Sequence, residues 1–437
     1  MSRQLTSRRG FLAQSGTVAA LGLSAMSARA ASRVNGANDR IRLGFAGLGE
    51  RGTALMEWAN RLAKDENVEL AAVCDIWNQA RAKGADRLRE WTGQTPITCQ
   101  TVGELVARDD IDAVVIATAD FQHAHHGKLV IEAGKHAYIE KPFGCDFDQI
   151  RSARKVIEKS DRVVQIGTQR RSHGVPWAAR EFVRTGGLGK VSYVEISQPL
   201  FQQRWRVPGA ADALTENDTN WKEFLLYTPQ TDFDARRYRE FRLFWPYSTG
   251  VFCQWMSHMI DLVNLVLDEQ PRSVVASGGN YVWQDGRTNP DTAEALREYH
   301  SGCMASYHMR LGNGADSRGI RFYGTHGTLD LDAGIAYGEG GGGRVLTPDD
   351  PTKLLPIDAS RRLPDRKDGG ILLSAEPDGD HMADFFRAMR TGTRTKADVR
   401  AGFDHALATT MAGMSLRDGV RVVYDPSADA VSPFKSA

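Results

Sequence analysis

Glycines near the start of the chain have the spacing of a turn that binds phosphate. Gly47, Leu48, Gly49 and Gly52 belong to a G-x-G-x-x-G string that follows an apolar stretch and opens a helical pattern. The first glycine permits a tight turn, the second lets the backbone approach a pyrophosphate, and the third lets helix and strand pack closely. N–H groups at the start of the helix would bind the anion. Asp75, which ends the next apolar stretch, would accept hydrogen bonds from ribose hydroxyls.

The cofactor predicted for this turn is NAD. Ile76, and not an arginine, follows Asp75, so a 2′-phosphate would lack an obvious counter-charge and NADP is disfavoured. A glycine turn that arose by chance is the alternative. The apolar stretch before it, the helical pattern after it and the acid beyond the next stretch all favour the dinucleotide site.

Polar residues suited to cofactor binding and proton transfer occur in three later strings. Thr118 and His123 lie in T-A-D-F-Q-H, and Glu140 and Lys141 lie in E-K-P; these four are predicted to contact the cofactor. Lys141 and His258, which lies in a helical stretch, are the candidates for catalysis. An imidazole, with an ordinary pKa of about 6.5, suits proton transfer near neutral pH. The histidine cluster around residue 123 lacks nearby cysteines or paired carboxylates, so no metal site is predicted.

The elements that must position these residues alternate between strands and helices, which predicts βαβ units and a parallel sheet. Strands are predicted at 41–46, 68–74, 113–117, 136–139 and 163–167, and helices at 56–62, 76–91, 122–133 and 147–158. After about residue 167 the alternation of strands and helices ends. Further strands are predicted at 191–198, 274–282, 303–309 and 319–323, and helices at 380–389 and 401–415. Residues 201–220 are predicted to form a loop that covers a site, and the glycine-rich run 338–343 a surface loop.

With these motifs, the chain resembles the glucose–fructose oxidoreductase / inositol dehydrogenase (Gfo/Idh/MocA) family over nearly all of its length beyond residue 30. E-K-P after a strand is the most specific motif, and the stretch 241–261 supports it. The resemblance implies an α/β fold: an N-terminal Rossmann domain with a parallel sheet, at 41–167, and a C-terminal α/β domain with an open, mostly antiparallel sheet, at 168–437. It also implies oxidation or reduction of sugars and cyclitols, and packing into dimers or tetramers.

The resemblance also implies roles for individual residues. Lys141 would lie at the nicotinamide beside the substrate hydroxyl and stabilise alkoxide charge. His258 matches the histidine of a D-x-x-x-H helix motif and would act as the general base. The aspartate position holds Gln254, which puts the usual proton relay in doubt. His123 would line the nicotinamide pocket, although Ala119 replaces the usual proline.

The substrate would contact Lys141, Gln254 and His258, together with Arg242, Tyr247 and Trp255. Tryptophans in this region either stack on sugar C–H surfaces or fill the core: Trp205, Trp221, Trp245 and Trp255. Arginines there either hold an anionic group of the sugar or are solvated: Arg170, Arg171, Arg204, Arg206 and Arg242.

Three functions are compatible with these features. The first is an NAD-dependent oxidoreductase that acts on a sugar or sugar derivative. The second is an NAD-dependent glycosidase, which some relatives achieve by oxidising the sugar transiently, eliminating the aglycone and returning the hydride. The third is a sugar-binding protein without activity, which the complete glycine motif, Asp75 and Lys141 argue against.

The N-terminus predicts export. Ser7–Leu12 reads S-R-R-G-F-L, a weakly apolar run follows, and Ala28-Arg29-Ala30 has the small–x–small pattern of a cleavage site. This resembles a twin-arginine (Tat) signal at 1–30, with a linker at 31–40, and predicts a periplasmic protein that engages the Tat machinery and carries no membrane span once mature.

With 55 basic and 54 acidic residues, no nucleic-acid partner is expected. Five scattered cysteines argue against a disulfide framework.

Overall fold

The computed structural model describes residues 40–315, 318–338, 344–347, 350–356 and 363–435. The expected signal peptide, nearly all of the expected linker and most of the glycine-rich run 338–343 lie outside these ranges. Within them, no helix combines the length and the apolar character needed to cross a membrane.

The N-terminal part is a six-stranded parallel sheet, as predicted, in the order β3-β2-β1-β4-β5-β6. Its strands are β1 (Ile41–Ala46), β2 (Val68–Cys74), β3 (Ile97–Cys99), β4 (Ala113–Ile116), β5 (His136–Ile139) and β6 (Val164–Ile166). Because β1 lies between β2 and β4, the segments that follow these three strands meet at the carboxyl edge, where open α/β sheets bind ligands.

Helices cover both faces of this sheet. They are α1 (Glu50–Leu62), α2 (Asn78–Thr92), α3 (Val102–Val106), α4 (His123–Glu132) and α5 (Phe147–Glu158). Helix α1 begins directly after Gly49, six residues before the predicted start, so the glycine turn and the helix N-terminus form one unit. Asp146 caps α5 by accepting a hydrogen bond from the Gln149 N–H at 3.0 Å.

Within the described residues, the C-terminal part is an open eleven-stranded sheet in which only β7 and β10 pair in parallel. Its central strands are β7 (Val191–Phe201), β8 (Pro271–Gly279), β9 (Thr292–Tyr299), β10 (Met304–Arg310), β11 (Gly312–Asn313) and β12 (Gly319–Gly324). Its outer strands are β13 (Gly327–Asp330), β14 (Ile335–Tyr337), β17 (Ile371–Leu372), β18 (Val422–Asp425) and β19 (Ala430–Pro433). A separate hairpin pairs β15 (Arg344–Thr347) with β16 (Asp350–Pro356). The expected mostly antiparallel sheet is confirmed.

The helices of this part are α6 (Gly174–Arg184), α7 (Trp221–Leu225), α8 (Ala235–Arg239), α9 (Ser257–Leu267), α10 (His381–Thr391) and α11 (Val399–Asp418). A π-helix, Phe252–Met256, leads directly into α9. Helix α11 packs on β8 and on α9, so α9 and α11 cover one face of the large sheet.

Helix α10 joins the two parts of the molecule. Phe385 and Phe386 belong to the same buried cluster as Leu43 and Tyr138 of the Rossmann sheet. The Trp58 indole N–H donates to Asp380 at 3.0 Å, just before α10 begins. A segment that the sequence assigns to the C-terminal domain therefore completes the apolar cover of the N-terminal sheet.

Candidate functional site

The glycine turn after β1 has the geometry that a dinucleotide requires. Gly47 has φ +84°, and a Cβ there would lie 2.5 Å from the Ala117 carbonyl oxygen. A Cβ on Gly52 would collide with the Gly47 carbonyl oxygen, whereas one on Gly49 would meet no protein atom within 4 Å. The space beside Gly49 is therefore open to a ligand at the N-terminus of α1. These residues fit NAD.

Asp75 lies at the end of β2, as predicted, and is buried. It accepts hydrogen bonds from the Leu48 N–H at 2.7 Å, the Trp77 N–H at 2.9 Å and the Tyr238 hydroxyl at 3.2 Å. Burial raises the pKa of this carboxyl group, although all three hydrogen bonds lower it. Tyr238 belongs to α8, so the C-terminal part also reaches the predicted ribose site.

The last residues of the segment 201–220, which was expected to cover the site, contact the residues that follow β2. Asp218 accepts a hydrogen bond from the Trp77 indole at 2.7 Å, and the Asn220 N–H donates to the Ile76 carbonyl oxygen at 3.0 Å. The Arg239 guanidinium lies over the Trp77 ring at 5.0 Å. Residues 218–239 thus contact the two residues that follow Asp75.

Glu140 ties the glycine turn to the E-K-P string. Its carboxylate pairs with Arg51 at 2.6 Å and accepts a hydrogen bond from the Gln169 amide at 3.0 Å. Its other oxygen accepts the Lys141 backbone N–H at 3.0 Å. Because Arg51 stands in the first turn of α1, the start of that helix and the loop after β5 are held together. Glu140 fits a role in positioning Lys141.

The Lys141 ammonium group contacts the π-helix of the C-terminal part. Its Nζ donates to the Gln254 backbone oxygen at 3.1 Å and to the Gln254 side-chain oxygen at 3.4 Å. An ammonium has three N–H donors, so one remains for a substrate oxygen. Burial lowers the pKa of Lys141, whereas the charges of Glu140 and Asp120 raise it.

His258 lies in the first turn of α9, and no hydrogen bond joins its ring to any other residue in the described ranges. Burial, and next the charge of Lys141, hold the pKa of this imidazole well below its ordinary value. The ring is therefore neutral near pH 7 and can accept a proton. No carboxylate of the described chain bonds it.

The His123 ring contacts the backbone of two neighbouring loops, and the Thr118 hydroxyl contacts a second histidine. His123 places Nδ1 2.7 Å from the Pro142 oxygen and Nε2 3.1 Å from the Thr118 oxygen, and the ring is buried. The Thr118 hydroxyl lies 3.1 Å from His126 Nδ1. These contacts hold the loop that carries Lys141. Lining of the nicotinamide pocket by His123 stays a prediction.

A buried polar cluster lies beneath Lys141. Asp120 Oδ2 accepts hydrogen bonds from the Ser248 hydroxyl at 2.7 Å and from the Gln254 amide at 2.5 Å. One oxygen of Asp120 and the Cys145 and Cys253 sulfurs lie within 4.8 Å of one another. The two sulfurs are 3.0 Å apart, and burial raises the Cys145 pKa, so that thiol is protonated.

The arginines that the sequence left open divide into two groups. Arg170, Arg171 and Arg206 pair with Asp332, Asp261 and Glu240, respectively. The Arg204 and Arg242 guanidinium groups have no carboxylate partner among the described residues. Arg204 lies over the Trp255 ring at 5.2 Å, and the charge of Arg242 lowers the pKa of Lys141. These two arginines are the ones available to an anionic group.

The aromatic residues predicted near the substrate also fall into two groups, those that fill the core and those that can contact a substrate. Trp221 stacks on Phe224 at 5.0 Å, and Tyr247 packs against Phe121 and Phe224 with 1% of its surface exposed. Both belong to an aromatic core. Trp255 is half-buried, and its indole N–H has no hydrogen-bond partner among the described residues. Substrate contact by Trp255 fits this geometry better than contact by Tyr247.

Sequence reasoning missed three residues of the site: Arg51, Asp120 and Tyr238. Arg51 lies inside the glycine motif and Asp120 inside T-A-D-F-Q-H, and this position within a motif is the sequence signal that could have identified them. Their partners Glu140 and Gln254 are 89 and 134 positions away, so no local spacing connects them.

Two family models match the chain. Residues 41–168 match "Oxidoreductase family, NAD-binding Rossmann fold", and residues 226–330 match "GFO/IDH/MocA C-terminal domain". The two regions follow each other in the order expected, and together they cover more than half of the chain.

Two curated relatives illustrate the similarity. The inositol 2-dehydrogenase of Rhizobium meliloti (strain 1021) is 26% identical over 237 residues, which is 54% of this chain and 58% of that protein. A glycosyl hydrolase family 109 protein of Shewanella baltica (strain OS155 / ATCC BAA-1091) is 27% identical over 173 residues, 39% of this chain and 37% of that protein. The alignments thus span only about two fifths to three fifths of these relatives.

Solved structures share the fold. The WlbA dehydrogenase from Bordetella pertussis, in complex with NADH and UDP-GlcNAcA, has a TM-score of 0.62 at 18% identity, over 88% of this chain and 99% of that one. Scyllo-inositol dehydrogenase from Lactobacillus casei, with NAD(H) and scyllo-inositol, has a TM-score of 0.58 at 18% identity, with the same two coverages.

Proposed function

The chain belongs to the GFO/IDH/MocA oxidoreductase family, and we propose that it is an NAD-dependent oxidoreductase of a sugar or sugar derivative. The observation that carries the proposal is the presence of Lys141 and His258 together at the carboxyl edge of an NAD-binding sheet. Lys141 donates two of its N–H groups to Gln254 and keeps one for a substrate oxygen, and burial, followed by the charge of Lys141, lowers the pKa of the His258 imidazole. The inositol and sugar-nucleotide substrates of the relatives support the substrate class.

NAD would be held by Gly47, Gly49, Gly52 and the start of α1, with Asp75 at its ribose. When bound, NAD supplies the hydride acceptor. We infer the preference for NAD over NADP from Asp75, because a carboxylate at the ribose accepts hydrogen bonds from its hydroxyls and repels a 2′-phosphate.

Side chains of this protein would take up the proton of the substrate hydroxyl and stabilise the oxygen that loses it. Lys141 donates a hydrogen bond to the substrate oxygen and stabilises the negative charge that develops on it. Neutral His258 accepts the hydroxyl proton. Trp255 and Arg242 would orient the sugar, and His123 and Glu140 hold the loop from which Lys141 projects.

A second candidate uses the same residues without net redox. The Shewanella relatives named as glycosyl hydrolase family 109 proteins favour it. In this reading the sugar is oxidised, the aglycone is eliminated and the hydride returns. Sugar binding without chemistry is a third, weaker candidate, because the complete glycine motif, Asp75 and Lys141 argue against it.

Compartment and assembly belong to the same proposal. The twin-arginine pattern at 1–30 supports Tat export to the periplasm. Val275 and Leu296 are paired on β8 and β9 and are each about two fifths exposed on the large sheet, which supports a dimer or tetramer. Cell fractionation and light scattering test these two points.

The decisive experiment compares three readouts on one panel of sugars and aryl glycosides. Net NADH formation supports the oxidoreductase, and aglycone release without net NADH supports the glycosidase. Binding without either supports the third reading and overturns the proposal. Lys141→Ala is the control for each signal.

A further inference from the structure

A buried carboxylate of the N-terminal part is bonded to a glutamine of the C-terminal part. Asp120 is 1% exposed and stands in the short turn after β4. Its Oδ2 accepts hydrogen bonds from the Gln254 side-chain N–H at 2.5 Å and from the Ser248 hydroxyl at 2.7 Å. Asp120 therefore contacts Lys141 through one intermediary, the Gln254 amide.

The chemistry of the two neighbours determines how that amide is turned. A carboxylate only accepts hydrogen bonds, and an ammonium only donates them. Gln254 must therefore present its NH₂ to Asp120 and its oxygen to Lys141, and the distances of 2.5 Å and 3.4 Å have this arrangement. If Asp120 lost its charge, the amide could turn its NH₂ toward Lys141, where donor would face donor.

Charges from several elements act on Lys141. Glu140 and Asp120 favour the ammonium form, and Arg242 and Arg51 oppose it. His258 and His405 face the same charge and are kept neutral partly by it. Burial also opposes the ammonium form, so the charges of the two carboxylates act against the effect of burial on the Lys141 pKa.

We propose that Asp120 is a positioning residue that fixes the orientation of the Gln254 amide, and through it the position of the Lys141 side chain, across the interface between the two parts of the molecule. The inference rests on the proposed function only for the catalytic consequence, because the contact between the three residues is structural. It also gives the site a carboxylate, although the helix position one turn before His258 holds Gln254.

The test is Asp120→Asn in the full chain. Competitive acetylation of Lys141, followed by peptide mass spectrometry, reports its titration directly and without turnover. The midpoint is expected to fall by about one pH unit or more, since an opposite charge nearby shifts a pKa by about 1–3 units. The alkaline limb of kcat is expected to move down with it, while KM changes little.

A reciprocal variant separates charge from structure. Gln254→Glu alone places two carboxylates in contact and is expected to reduce kcat by about 10²–10⁴, the usual contribution of a positioned proton-transfer group. Combined with Asp120→Asn, it returns one carboxylate to the pair and should restore the Lys141 midpoint and most of kcat. The combination also tests the proposal if Asp120→Asn alone fails to fold.

The matched control is Asp404→Asn, because Asp404 is a second buried aspartate that accepts a glutamine amide, from Gln270 at 2.5 Å. It should leave the Lys141 midpoint unchanged. An unchanged midpoint in folded Asp120→Asn protein, or a combined variant that folds but is no better than either single one, would overturn the proposal. If no sugar is turned over, the function fails, and the acetylation midpoint still decides the role of Asp120.

Discussion

Lys141 is the residue on which the proposed chemistry depends. Its ammonium group donates two hydrogen bonds to Gln254, so its position is fixed before substrate binds. Lys141→Ala removes the alkoxide stabiliser, and the rate should fall by about 10²–10³. Bound NAD and the thermal midpoint should change little, because the glycine turn is untouched. Turnover within a few-fold of the original enzyme would remove Lys141 from the mechanism.

His258 should act as a base over an unusually wide acidic range. Its pKa lies well below the ordinary value, so the neutral, proton-accepting form persists as the pH falls through about 6.5. Activity should therefore be kept below that pH and be lost only when the imidazole is protonated. His258→Asn should reduce the rate by roughly 10²–10⁴ and abolish this acidic limb. A stability loss that accounts for the lost rate would instead indicate a packing role.

Arg242 should select for a negative group on the sugar, because it faces Lys141 without a carboxylate of its own. Arg242→Gln should raise KM for a sugar acid about tenfold or more, since hydrogen bonds to charged groups contribute about 1.5–3 kcal/mol. KM for a neutral sugar should stay the same. Arg206→Gln, whose arginine is already paired with Glu240, is the control. Equal effects on both sugars would show that Arg242 is only solvated.

At this scale the sequence predicted which strings form the site but not how they connect. Gly47, Asp75, Lys141 and His258 could be selected because each stands in a local pattern. The bond between Asp120 and Gln254 could not, because its two residues are 134 positions apart and neither pattern requires the other.

The helices and strands divide in the same way, into those that a local sequence pattern predicted and those that it did not. Strands β2 and β5 and helix α5 have the predicted bounds, because each presents a regular apolar pattern. Strand β9 was not predicted, since its pattern is inverted: Arg297 is fully buried, whereas Leu296 is 41% exposed. The π-helix was not predicted either, and it presents the Gln254 backbone oxygen to Lys141.

Arg297 gives β9 a test of its own. Its guanidinium contacts the Met256 sulfur, two of its nitrogens have no hydrogen-bond partner in the part of the chain that the structure describes, and burial lowers its pKa to about 10. Arg297→Met should raise the free energy of unfolding, because replacing buried charge by apolar groups can stabilise a protein by about 1–4 kcal/mol.

Arg171→Met is the contrasting variant for urea unfolding. Arg171 is buried and pairs with Asp261 at 2.9 Å, so its loss leaves a buried charge uncompensated. A loss of about 3–5 kcal/mol is expected. If both variants were destabilised equally, Arg297 would have a partner that its surroundings do not reveal.

At the scale of the whole molecule, the C-terminal part closes over the cofactor site. Tyr238 bonds Asp75, residues 218–239 contact the end of β2, and α10 completes the core beneath the sheet. Bound NAD would therefore leave only when these contacts open. Such retention would serve the proposed Tat export, since a cofactor loaded before export must stay bound afterwards.

Retention has a measurable consequence. The holoenzyme should bind NAD with nanomolar or tighter affinity, roughly −12 kcal/mol, so purified protein should carry NAD(H) and turn over without added cofactor. An enzyme that keeps its cofactor must regenerate it in place, either with a second sugar or by returning the hydride to the same molecule. Mass spectrometry of the denatured protein would identify the cofactor and any retained sugar together.

Gly49→Val tests whether the glycine turn is what retains the cofactor. A side chain there meets no protein atom, so the fold should survive while the valine occupies the space that the pyrophosphate needs. The variant should therefore purify without NAD and with an unchanged apoprotein melting curve. Gly103→Val, at an exposed position of α3, is the control and should purify loaded. Original protein that purifies empty and needs a continuous supply of NAD at about millimolar levels, near −4 kcal/mol, would contradict retention and with it loading before export.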